Sequence, residues 1–436
     1  MKKFFTLLVL LAIGQLVTAQ TATSTYVNWK DMVAFEKAHP ELMKPCKTCP
    51  SKEADEGWEG LFNPNMPLPP GAIIKTQAPG KGNQQNRPGP ILMAPSRSPL
   101  QTFLGHTDPG NVIPPDTHGA VGLNHVITAT NDFIKIHNKV GGAQVSQVSL
   151  STFTAVGGTC DPYMLFDPTS QRWIFSAINC SSGTNNPMIL MVSNTSDPTG
   201  TWRKITWIPT GGPMFLDHPY CGFDNQTITL SGRRFQNGTT FVGSSLFLVD
   251  KAAMLAGTAI TFGTNAQQID KTTVDGDAPC PVTVYDPPFS NVGNPSPGTI
   301  YVLQSWSGAS SSIRLTTVTG AIPTATWNTA TPVFPSGGTP WNSGNLPNSA
   351  EQTIETRKLA ANDARISSAV MMNGKIWCAH HIAFPTSGTP DRIAVQWWQL
   401  EGAPGGTFGN VLQRGRVGGG VAGEYKWFPG IVVNKD

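Results

Sequence analysis

From about Leu104 onward the chain alternates short apolar, β-rich runs with clusters of Gly, Pro, Asn, Asp and Ser, the pattern of strands joined by tight turns. Val126 to Ile136 alternates in the β manner. Arg172 to Ala177 reads as the partner of Met188 to Val192, Thr227 to Leu230 of Ser245 to Val249, Thr299 to Gln304 of Ile313 to Val318, and Lys375 to Ile382 of Ile393 to Leu400. Trp327-Asn328-Thr329 reads as part of an outer strand, and no long helical period interrupts the series.

A polar phrase returns ahead of these apolar runs: Asp116-Thr117-His118-Gly119, Asp161-Pro162-Tyr163, Asp217-His218-Pro219-Tyr220, Asp277-Ala278-Pro279 and Asp363-Ala364-Arg365. Glu424-Tyr425-Lys426-Trp427-Phe428-Pro429-Gly430 is a looser sixth. Returns about 40 to 60 residues apart are the mark of radially repeated sheets. One β-sandwich of about 100 residues does not hold so many strands. The expected fold is all-β, a β-propeller of six blades, or seven if the interval from Asp277 to Asp363 holds another, with a short N-terminal helical or irregular segment. If each phrase opens the innermost strand of a blade, its acids, histidines and arginine converge on one axis.

Met1-Lys2-Lys3, the apolar stretch to Leu16 and the small residues up to Ala19 form a secretory signal with cleavage expected after Ala19. Residues 20–103 read as an N-terminal segment, with helical spacing between Tyr26 and His39, followed by a Pro/Gly-rich strap; the propeller occupies 104–436. A further hairpin is expected after Ile431-Val432-Val433, and the turn-like Asn434-Lys435-Asp436 favours a propeller truncated there over closure of the last blade by the N-terminal segment.

The formal charge of +3 includes Lys2 and Lys3, which leave with the signal, and no basic run remains. Nucleic acid and membrane insertion are therefore not expected. In an exported chain the cysteines are candidates for disulfides. Cys160 with Cys180 and Cys221 with Cys280 are the expected pairs, Cys46 and Cys49 form a CxxC read as a local disulfide, and Cys378 is left as a buried thiol.

Pro114 to Gly122, Phe166 to Trp173, Thr195 to Trp202 and Asn373 to Trp377 resemble stretches of secreted bacterial β-propellers of the sialidase-like or glycosidase-like kind, over roughly Gly110 to Asp436. Ser196 to Trp202 is similar to the Asp-box turn of sialidases with fewer residues between Ser and Trp, a marker of the fold at the periphery. The resemblance implies extracellular carbohydrate, a polysaccharide or glycan, as the partner. The arginine triad and Tyr/Glu pair of true sialidases are not evident.

The candidate site residues are His218, Tyr220, Arg365, His118 and Asp116. Imidazole serves as acid, base or ligand near neutral pH. A polysaccharide lyase would use His218 or Tyr220 to take a proton beside a uronate carboxylate that Arg365 neutralises, and a glycoside hydrolase would use a pair of the axial carboxylates. Those acids equally suit turn capping or a structural Ca2+, which makes a non-catalytic adhesion or interaction module the alternative. His380 and His381, adjacent on a strand, must face opposite ways, so one at most meets the axis. Trp306, Trp377, Trp397, Trp398 and Trp427 are candidates for stacking on sugar rings or for packing between blades. No cofactor is required, and the P-loop, dinucleotide, HExxH and GxSxG motifs are missing from the sequence.

Overall fold

The computed structural model describes residues 20–40, 73–74, 101–107, 112, 114–286, 299–306, 312–328, 332–335, 341, 363–384, 391–402, 408–419 and 425–433. Within them the strands form five sheets, each running outward from a strand that one of the first five polar phrases opens. Blade 1 consists of His118–Val121, His125–Ala129, Phe133–Asn138 and Gln144–Ser149. Blade 2 runs Thr159–Asp167, Arg172–Asn179, Met188–Ser193 and Thr201–Trp207. Blade 3 runs Met214–Phe223, Thr227–Gln236, Thr240–Asp250 and Ala266–Thr272. Blade 4 starts at Cys280–Pro281 and continues through Thr299–Trp306 and Ser312–Thr319, with Thr326–Trp327 and Pro332–Pro335 outside them. Blade 5 comprises Ile366–Met372, Lys375–Phe384, Arg392–Gly402 and Phe408–Val417, with Thr283–Val284 lying parallel to its first strand.

The propeller expectation holds, but the number of blades is five where six or seven were expected. The sixth phrase opens no blade among the described residues. Tyr425 bridges to Ile393 of blade 5, Lys426 donates its amide to the Ile393 carbonyl, and Phe428-Pro429-Gly430 turns to the axis. The interval that was to hide a seventh blade supplies the strands of blade 4.

Four apolar cores join consecutive blades. Ile127, Ile134, Phe153, Trp173, Phe175 and Trp202 lie between blades 1 and 2; Ile178, Leu190, Cys221, Leu230 and Phe247 between 2 and 3. Leu246, Leu248, Ile300, Val302 and Trp327 lie between 3 and 4, and Cys280, Leu303, Ile366, Cys378 and Trp398 between 4 and 5. Middle strands packed on both faces are buried without alternation, as Thr299–Trp306 is throughout its length, Gln304 and Ser305 included. Each fully buried large apolar side chain contributes roughly 1.5–3 kcal/mol.

The Asp-box-like turn joins two strands of blade 2. Asp197 accepts hydrogen bonds from the amide and hydroxyl of Thr199, at 2.9 and 2.8 Å, and buried Trp202 donates to the Pro198 carbonyl at 2.8 Å. Cys160 and Cys180 form the expected disulfide. Cys221 and Cys280 do not: both are buried free thiols, in different interblade cores, and burial pushes the Cys221 thiol up to about 12. Cys378 is a buried free thiol as expected, and Cys46 and Cys49 lie outside the described residues.

The helical spacing near the N-terminus becomes Trp29–Ala38, capped by Asn28, whose side chain accepts from the Lys30 amide. Thr23–Asn28 before it joins Thr201–Trp207 as a further antiparallel strand of blade 2, and Ile73–Ile74 lies parallel to Pro332–Pro335 of blade 4.

Candidate functional site in the axial cavity

The phrases do more than start strands. The backbone is left-handed at Asp116, Asp161, His218 and Ala278, with φ of 42°, 53°, 49° and 43°, and again at Phe428 with 49°. Asp and His tolerate this region, whereas Ala and Phe are held there by their surroundings. Pro follows in four of the five cases: Pro162, Pro219, Pro279 and Pro429. The ladders slip by one residue between Cys160 and Tyr163, between Asp217 and Tyr220, and between Ile366 and Ser368. Such bulges re-aim side chains. Matched by conformation, His218 of blade 3 corresponds to Asp161 of blade 2, so Asp217 sits one place further back and points into the frame.

The turns enclose a cavity of about 360 Å³ on the axis, lined by Pro114 to His118, Asp161 to Tyr163, Asp217 to Tyr220, Arg365, Ser367, Ser368, His381 and Phe428 to Gly430. All five candidate residues, His218, Tyr220, Arg365, His118 and Asp116, stand in this wall. Asp277 and its neighbours do not line it among the described residues. Asp277 instead accepts two bonds from the fully buried guanidinium of Arg233, at 2.9 and 3.0 Å, and Arg233 reaches Asp217 at 3.3 Å. Arg365 closes on its own phrase, its Nε and Nη2 donating to Asp363 at 2.8 and 2.7 Å. Burial would raise the Asp363 carboxyl, but Arg365 beside it holds it well below the ordinary range. For Asp217 burial prevails over Arg233 and Arg365, and its carboxyl is raised.

The tautomers follow from the hydrogen bonds. Tyr220 Oη donates its one proton to the Ile366 carbonyl at 2.6 Å and lies 3.0 Å from His218 Nε2. His218 must therefore donate from Nε2, which leaves its Nδ1 lone pair available. His118 Nδ1 accepts from the Met164 amide at 3.1 Å, placing its proton on Nε2, and its ring lies against Tyr163 with centroids 3.9 Å apart. Burial lowers His118 to about 4. His218 is held well below its ordinary value by burial and then by Arg365 and Arg233, against Asp363. Both are neutral imidazoles at pH 7. Burial raises the Tyr220 phenol well above its ordinary range, so it positions His218 and is no free base.

Sequence reading did not single out Asn131. It donates to Asp116 at 2.6 Å and to the Pro114 carbonyl at 3.0 Å, and accepts from the Asp161 amide at 2.8 Å, tying the first two phrases together. Arg233 stands toward the far end of Thr227–Gln236, a strand buried over nearly its whole length, and its sequence context of Ser231, Gly232 and Arg234 carries no signal of that burial. Of the tryptophans, Trp306 and Trp398 are fully buried, Trp398 in the core between blades 4 and 5 and Trp306 under the Arg314 guanidinium of its own blade. Trp377 and Trp397 are half-buried and stacked, centroids 6.2 Å apart, and line a separate groove of about 480 Å³ with Ile431, Val432 and Val433. Trp427 packs on Ala383 and Ile393. The aromatic groups of the axial wall are instead Tyr163, Tyr220 and Phe428. Among the described residues the only three-donor grouping tight enough for a metal ion is Cys160, Asp161 and Cys180, whose sulfurs are joined to each other.

No family model matches the chain, and no curated protein matches it in sequence. Similar solved structures are carbohydrate-active propellers. An α-L-arabinanase of Cellvibrio cellulosa complexed with arabinohexaose is 12% identical, with 68% of this chain and 94% of that one covered and a TM-score of 0.32. An arabinanase of Bacillus subtilis is 13% identical over 66% of this chain and 94% of that one, TM-score 0.34. An exo-β-1,3-galactanase of Phanerochaete chrysosporium with galactose is 11% identical over 69% and 65%, TM-score 0.35. Identities and TM-scores of this size say nothing of a reaction. The propeller class itself rests on the five sheets. No helix among the described residues is long and apolar enough to cross a membrane.

Proposed function

We propose that the protein is exported and binds or processes extracellular carbohydrate, a polysaccharide or glycan, in the axial cavity. The observation that carries this reading is convergence: phrases from four blades, distant in sequence, bring neutral imidazoles, an arginine, carboxylates, hydroxyls and aromatic faces into one cavity of about 360 Å³. The Cys160–Cys180 disulfide and the signal-like N-terminus support export. In turnover His218 is the acid–base group, oriented by Tyr220, with His118 and Asp116 on the opposing wall and Arg365 countering developing negative charge. The reading needs no cofactor. A structural Ca2+ would have to draw on Asp161, or on Asp116, Asp217, Asp277 and Asp363, which Asn131, Arg233 and Arg365 already engage.

The test is activity of the mature protein on neutral and uronic polysaccharides, following new reducing ends and absorbance of unsaturated products. Both signals together identify a lyase, and reducing ends alone a hydrolase working through paired carboxylates. A second reading, a non-catalytic adhesion or interaction propeller, is favoured by one observation: Asp217, Asp277 and Asp363 are engaged by Arg233 and Arg365 and serve the frame. Silence across the panel, with binding retained, would decide for it.

A further inference from the structure

His380 and His381 lie side by side on Lys375–Phe384 and face opposite ways. His380 Nε2 accepts from Trp398 Nε1 at 3.0 Å, inside the core between blades 4 and 5. His381 stands in the wall of the axial cavity, only 1% exposed; the Asp363 backbone is the polar neighbour of its ring, and neither ring nitrogen makes a hydrogen bond of good geometry among the described groups. A buried polar group left so is costly, and native structures retain such groups where a ligand or water completes them.

The chemistry of the ring narrows what completes it. Burial first, then Arg365, lower His381 to about 4 against the pull of Asp363, so the imidazole is neutral at pH 7. A neutral imidazole offers one N–H donor and one lone pair. A hydroxyl both donates and accepts and so matches either nitrogen. A carboxylate only accepts, so it meets the N–H but leaves the lone pair without a donor. Phe428 stands edge-on to the ring, centroids 5.5 Å apart, and is 57% exposed, placing an apolar aromatic face beside the polar point in the same wall. Polar edge and apolar face side by side are what a sugar ring presents.

We propose that His381 is a ligand-contacting residue of the axial cavity and that it receives an uncharged hydroxyl, so that neutral glycans are preferred over uronates. This rests on the cavity binding carbohydrate. Calorimetric titration with neutral oligosaccharides and with oligouronates, on the mature protein and on His381→Phe and His381→Gln, tests it, with thermal unfolding of all three. The expected result is binding of neutral glycans, weakened about tenfold or more by His381→Phe, with its Tm unchanged or higher because the unsatisfied nitrogens are gone. His381→Gln, which keeps a donor and an acceptor, retains more of the affinity. Unchanged affinity in His381→Phe, or preference for uronates, overturns the inference and leaves the cavity reading intact. Silence of the unaltered protein toward both ligand sets overturns the two together. If His381→Phe unfolds early, His381→Gln decides: lost affinity at preserved Tm supports the contact, and unchanged affinity refutes it.

Discussion

The axial cavity and the groove between Trp377, Trp397 and Ile431 to Val433 are of similar size, about 360 and 480 Å³, and are built in opposite ways. The groove is made by two neighbouring strands of blade 5 and one trailing segment, and its wall is two stacked indoles and three aliphatic side chains. The cavity draws on phrases more than 200 residues apart in sequence, from Pro114 to Phe428, and is framed by charges that cannot be left alone in the interior. Volume does not separate the two places. What separates them is that the cavity's geometry is fixed by buried ion pairs, Arg233 with Asp277 between blades and with Asp217 inside blade 3, and Arg365 with Asp363 inside its own phrase, so its polar groups are pre-set for a ligand, while the groove offers area without direction.

The sharpest way to break this comparison is Arg233→Leu. Asp217 and Asp277 would be left buried without their cation, and unfolding in urea is expected to show a loss of about 3–5 kcal/mol. A loss below 1 kcal/mol would mean that the pair of blades is held by apolar packing alone. Trp397→Ala removes one half-buried wall of the groove; a loss of about 2 kcal/mol with glycan binding unchanged is expected, about half the cost of a fully buried indole. Lost binding at unchanged stability would move the site to the groove. The last effect is on pH, spread over the whole acid range. His118, His218 and His381 are depressed in the fold, so the unfolded chain takes up protons that the native one refuses, and stability is full above pH 6.5 and falls as pH drops toward about 4. The slope is at most about 1.4 kcal/mol per pH unit for each histidine, and the raised Asp217 opposes it. The groove wall carries no titratable group, so Trp397→Ala should keep this profile, read from Tm between pH 7 and 4. A flat profile would place the three imidazoles in contact with water.

Much of this was legible in the chain. The strand pairs, the opening of each blade by its phrase, the peripheral role of Ser196 to Trp202 and the opposite facing of His380 and His381 all follow from local pattern and period. Blade number did not, because Phe428-Pro429-Gly430 adopts the same left-handed turn into Pro as His218-Pro219 and so resembles an opening phrase where no sheet follows among the described residues. The expected Cys221–Cys280 bridge failed for a related reason: both cysteines follow a phrase by the same few residues, but in the chain nothing tells that one side chain enters the core between blades 2 and 3 and the other that between 4 and 5. Arg233 acquires its meaning only from the ladder that sets it opposite Asp217.

The first part of the segment ahead of the propeller, Thr23 to Ala38, has a role that its polar character conceals. Helix Trp29–Ala38 lies along Gln144–Ser149, with Trp29 donating to Ser146 and Glu36 accepting from the Ser149 amide, and Thr23–Asn28 zips onto Thr201–Trp207. The outer rims of blades 1 and 2 would otherwise present open rows of amides and carbonyls to any other extended chain, the arrangement from which edge-to-edge aggregation grows. A protein shortened to begin at Leu104 would keep every residue of the axial cavity and lose its guard against self-association.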